Sequence, residues 1–120
     1  MERSPDSNFN NIIKQIIKKS LFTERQIQII LNYRDLQKTA FNITKGAYFR
    51  QVRQSREKLM GLFYSVILLR GLGVLVPEDM EMLSRLTNQI SVIQSSDVFP
   101  EREEEIMSVI GELFSRACRM

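Results

Sequence analysis

The sequence predicts an all-α fold of about five helices, and three features predict it. Apolar residues recur at three-and-four spacing through most of the chain. No stretch alternates with period two for long enough to make a strand. Five Gly and three Pro among 120 residues are too few for a turn-rich β protein. An apolar fraction of 43% and a charged fraction of 26% are ordinary for a globular chain. The expected layout is a disordered tail over 1–7 and one helical domain over 8–120. Within that domain, 8–58 forms a basic part and 59–120 a core or dimerisation part.

The first helix is expected from Asn8 to about Ser20. Ile12, Ile13, Ile16 and Ile17 share one face, and Lys14, Lys18 and Lys19 lie elsewhere. Thr23 followed by Gln26 is a capping box that opens a second helix, with Leu21 or Phe22 placed to staple against Ile27. That helix runs to about Asp35, and Leu36–Asn42 is ambiguous. Thr44 caps a long third helix, roughly Lys45 to Arg70. Tyr48, Val52, Ser55, Leu59, Leu62, Val66 and Leu69 form an a/d seam along it.

Gly71 and Gly73 end the third helix. Pro77 fits the first position of a fourth, with Glu78 and Asp79 in its first turn and Met80, Leu83, Leu86, Ile90 and Ile93 on its apolar face. Ser95-Ser96-Asp97 breaks it. Pro100 and the acidic run Glu101, Glu103, Glu104 and Glu105 start a fifth helix, whose Ile106, Val109, Ile110, Leu113 and Phe114 join the core or a dimer contact.

The net charge of +3 hides an asymmetry. Residues 1–76 carry thirteen Lys/Arg against five Asp/Glu, whereas residues 77–120 carry four against nine. Such a division points to a polyanion-binding surface and a separate assembly surface. One cysteine, Cys118, cannot make an internal disulfide, so a reducing cytoplasmic setting is expected. The polar N-terminus lacks a signal core. The apolar run Leu59–Val76 is interrupted by Gly61, Arg70, Gly71 and Gly73, which excludes a membrane span and predicts a buried helix or a dimer seam.

Catalysis is disfavoured. The chain has no His, a single Cys and no Gly-rich phosphate loop, so no metal or cofactor is expected. Tyr64 and Ser65 read as packing residues. The basic third helix is the functional candidate. Arg50, Arg53 and Gln54 lie opposite its packing side, with Arg56 and Lys45 beside them. Arg can pair with both guanine acceptors in a major groove and Gln with adenine. Lys38, Lys45 and Arg56 are placed for phosphates, with Lys14, Lys18 and Lys19 extending the footprint.

Two segments carry a resemblance. Residues 22–31, FTERQIQIIL, look like the first helix of helix-turn-helix DNA-binding domains of the sigma-factor promoter-binding, LuxR-like and archaeal Tfx-like type. Residues 43–59, ITKGAYFRQVRQSREKL, are similar to their recognition helix. The resemblance implies that Thr44, Lys45, Tyr48, Phe49, Arg50, Arg53 and Gln54 are the contact positions. The family's middle helix must fit into Asn32–Asn42, so either it is trimmed or the domain is a different helical fold that shares a basic helix.

The expected function is transcriptional regulation by a homodimer bound to double-stranded DNA, with two basic helices about 34 Å apart on successive groove faces. The alternative is a helical protein–protein adaptor that binds no nucleic acid. RNA binding is a weaker option, because Tyr48 and Phe49 alone make no stacking platform.

Overall fold

The computed structural model describes residues 9–93 and 100–120. Among them are five helices and no strand: α1 (Asn11–Lys19), α2 (Glu24–Tyr33), α3 (Lys45–Gly71), α4 (Pro77–Ile93) and α5 (Pro100–Ala117). The all-α class is thus as the sequence predicts. The tail over 1–7 and the break at Ser95-Ser96-Asp97 lie outside the described residues. The chain gathers into two compact units, residues 16–68 and residues 9–15 with 69–120.

Local chemistry sets most helix boundaries. α1 begins after Asn10, whose Oδ1 accepts the Ile13 N–H at 2.9 Å, three residues later than the expected start at Asn8. At α2 the capping box is complete: Thr23 Oγ1 accepts from Gln26 N at 3.1 Å and Gln26 Oε1 accepts from Thr23 N at 3.0 Å. Leu21 is 71% exposed and makes no staple, whereas Phe22 is half-buried. α3 starts on Thr44, whose Oγ1 accepts from Ala47 N at 3.1 Å. α4 begins at Pro77, with Asp79 Oδ2 accepting the Val76 N–H at 3.0 Å.

α2 and α3 end alike. The N–H groups of Asp35 and Leu36 turn back to Asn32 O and Leu31 O, and those of Gly73 and Val74 to Arg70 O and Leu69 O. Both are Schellman closures, which need a left-handed residue. At α3 this is Gly73, at φ 84°. At α2 it is Asp35, at φ 60°, one of the few non-glycine types that tolerate that region.

In the first unit, α2 packs its buried Ile29 and the part-buried Ile30 towards Val52, Ser55 and Leu59 of α3, and these residues share one cavity. The predicted a/d seam is largely the covered side of α3. Ser55 is buried, Tyr48, Val52, Leu59, Val66 and Leu69 are part-buried, and Leu62 is 37% exposed. The Ser55 hydroxyl is buried and has no hydrogen-bond partner among the described residues. Removing an unpaired buried hydroxyl relieves a desolvation cost. Ser55→Ala is therefore expected to raise stability by about 1 kcal/mol, read as a higher urea midpoint at unchanged m-value.

Leu59–Val76 differs from the expectation of a buried helix. Phe63, Tyr64, Ile67 and Leu68 are 57–67% exposed, and Ser65 is exposed too. Tyr64 and Ser65 are therefore not packing residues within the chain. The reason is that α3 is apolar on two sides, and only one of them meets the rest of its unit. No described helix is long and apolar enough to cross a membrane.

Candidate nucleic-acid interface

The interface candidate is the first half of α3, held in place by α2 and the connection between them. That connection, residues 34–44, contains no helix, so nothing corresponds to the middle helix of a helix-turn-helix domain. Eleven non-helical residues stand where such a domain has its middle helix and the turns that flank it.

Asn32 organises the join. Its Oδ1 accepts from Thr39 N at 3.1 Å, fixing the connection. Its Nδ2 donates to the Tyr48 hydroxyl at 3.0 Å, fixing α3. Phe41 and Phe49 pack on the Tyr48 ring at 5.7 and 5.4 Å between centroids, and the Arg25 guanidinium lies 5.5 Å from the Phe41 centroid. At the far side of the join, Lys58 Nζ donates to Leu21 O at 2.7 Å and to Gln26 Oε1 at 2.9 Å, tying α3 to the capping box of α2.

These ties correct the predicted contact set. Tyr48 is half-buried with its hydroxyl engaged, so it supports the helix and does not reach outward. Phe49 is 48% exposed at the edge of the same aromatic cluster. Lys38 is exposed but ion-paired with Asp35. Thr44 is exposed and spends its hydroxyl on the cap. Lys45, Arg50, Arg53, Gln54 and Arg56 are all exposed.

Lys45, Arg50, Arg53 and Arg56 have no ion pair or hydrogen bond among the described residues, whereas Arg85, Arg102 and Arg116 each pair with a carboxylate of their own helix: Glu81, Glu105 and Glu112 at 3.7, 3.9 and 3.3 Å. The two sets of arginines are thus differently placed. Those of α4 and α5 are balanced along their own helices, Arg70 at the end of α3 donates to Leu75 O at 3.0 Å, and Arg50, Arg53 and Arg56 carry no such partner among the described residues. Residues 16–68 hold ten Lys/Arg against three Asp/Glu, so the excess charge is a property of the whole unit. Lys18 and Lys19 are exposed in it, and Lys14 is half-buried.

Of the predicted core or dimer residues, Leu59, Val66, Leu69, Ile106, Ile110 and Leu113 are part-buried. Val109 at 53%, Phe114 at 39% and Leu62 at 37% are exposed. Cys118 is an exposed free thiol. No group of three or more His, Cys, Asp or Glu among the described residues could hold a metal. Comparison with protein-family models, with curated proteins and with solved structures finds no match to this chain.

Proposed function

We propose that the chain is a non-enzymatic, DNA-binding transcriptional regulator that acts as a homodimer. The observation that carries this reading is the set of exposed cations Lys45, Arg50, Arg53 and Arg56 on one helix, unpaired among the described residues. A protein that needed them only for solubility could balance them as α4 and α5 balance theirs. Left unpaired, they raise the positive potential that a phosphate backbone meets. Gln54 beside Arg50 and Arg53 adds a group able to read adenine edges.

Salt dependence tests the reading and counts the contacts. Four phosphates neutralised per copy give a log–log slope of about −4 for a bound monomer and about −7 for a bound dimer. Between 50 and 200 mM salt the dimer should lose about 10⁴-fold in affinity for mixed-sequence duplex DNA, measured by fluorescence anisotropy. Indifference to DNA at 50 mM salt would sink the reading. Self-association that melts with salt, in a protein that ignores DNA, would favour the adaptor instead.

A further inference from the structure

We infer that two copies pair antiparallel through one stripe of α3, formed by Met60, Phe63, Tyr64 and Ile67, and that this pairing sets the distance between their basic segments. The residues are spaced i, i+3, i+4 and i+7, so they lie on one face. They line a shallow groove of about 260 Å³. Leu68 borders it, 57% exposed. No residue from Leu59 to Leu69 is charged. A helix that is apolar on every side belongs under cover, and an exposed apolar patch of this kind marks a contact surface.

The occupant is a second copy, for three reasons. The first is area. With the exposures found, these side chains present on the order of 600 Å² per copy, which reaches the lower bound of a specific interface once two copies contribute. The second is shape. An antiparallel pair with its twofold between residues 63 and 64 sets Phe63 against the partner's Tyr64 and Met60 against the partner's Ile67. Aromatic edges then meet aromatic faces, and each groove receives a side chain of matching character. The third is charge. Parallel pairing would bring the Lys45–Arg56 segments of both copies side by side, and like charges there repel. Antiparallel pairing sends them to opposite ends.

Spacing follows from helix rise. The centre of the Arg50–Gln54 segment lies 11.5 residues from the twofold, about 17 Å at 1.5 Å per residue. The two basic segments are then about 35 Å apart, close to the roughly 34 Å of one DNA turn. The twofold is perpendicular to both helices, so any face offset to one side of the stripe points to the same side of the dimer in both copies. Successive residues turn by about 100°, which offsets Arg50 and Gln54 from the stripe in one common direction and leaves Arg53 nearly in line with it, beyond its N-terminal end. This spacing rests on the DNA-binding reading, whereas the pairing itself does not.

Engineered disulfides test the register. In a Cys118→Ser background, Met60→Cys with Ile67→Cys should oxidise to a covalent dimer. Positions seven apart on one helix are about 10 Å from each other and cannot bridge within a chain. Met60→Cys alone and Ile67→Cys alone should yield little dimer. Equal yields from the single variants would show parallel pairing and overturn the inference, as would a wild-type protein that sediments as a monomer at about 100 μM, well above the Kd expected of even a weak specific contact. Phe63→Glu should weaken self-association at least about 100-fold with helicity unchanged by circular dichroism. A cross-linked dimer that ignores DNA would leave the pairing standing and remove the DNA-binding reading.

Discussion

Replacing Arg50 and Arg53 together with alanine is expected to lower affinity for duplex DNA at least about 100-fold at moderate salt, since each bidentate Arg–base pair is worth about 1–3 kcal/mol. Both side chains are exposed and neither makes an ion pair or hydrogen bond among the described residues. Their removal therefore takes nothing from the packing of α2 on α3, and the helical signal and urea midpoint should stay where they are. In a dimer the double change deletes four cations, so the salt slope should also flatten by about 3–4 units. Arg85→Ala with Arg116→Ala serves as the control. Those side chains already pair with Glu81 and Glu112 on their own helices, and exposed pairs of this kind contribute about 0–1 kcal/mol, so DNA affinity should not move. Wild-type affinity in the Arg50/Arg53 variant would show that the cationic face of α3 is not the contact surface.

What the sequence makes legible here is local chemistry. Thr23 with Gln26, Thr44, Pro77 and Gly73 each act on backbone groups within a few residues, so the helix starts and stops can be read from neighbours alone. The outward side of α3 was readable for the same reason. Helical periodicity separates Arg50, Arg53 and Gln54 from Val52, Ser55 and Leu59 without reference to anything else.

What stayed hidden depends on partners far along the chain. Asn32 meets Tyr48 sixteen residues away, and Lys58 meets Leu21 thirty-seven residues away. An Asn near a helix end looks like any polar surface residue, and a Lys flanking an apolar stripe looks like a solvated one. The one signal available for Lys58 is that it borders the packing side of α3, about 60° around the helix from Ser55 and just outside the Leu62 and Leu69 positions. Tyr64 illustrates a different gap. Apolar spacing shows that Met60, Phe63, Tyr64 and Ile67 share a face, but not whether the chain itself covers that face. α3 has two apolar sides, and the length of the α2–α3 connection and the place where α2 lands decide which one is covered.

Asn32→Ala is expected to be the most destabilising of the changes considered, by about 2–4 kcal/mol, because it strands two groups at once. Thr39 N loses its acceptor and the Tyr48 hydroxyl loses its donor, and both lie in a part-buried setting where water replaces them incompletely. Tyr48→Phe removes only one of these bonds and should cost about 1 kcal/mol. A double-mutant cycle across Asn32 and Tyr48, read by urea unfolding, should return a coupling of about 1 kcal/mol, since the two side chains bond to each other directly. The effect reaches function through geometry. Asn32 pins both the connection and the start of α3, so without it the first two turns of α3, with Lys45 and Arg50, should fray. DNA affinity should then fall even at temperatures where the protein stays folded. Hydrogen exchange separates this from global unfolding: amides of residues 47–50, the first in α3 with acceptors, should lose protection in Asn32→Ala while those near Ser55 keep it. Uniform loss of protection along α3 would mean that Asn32 acts on the stability of the whole unit. Unchanged protection at residues 47–50 would mean that the clamp between α2 and α3 lies elsewhere.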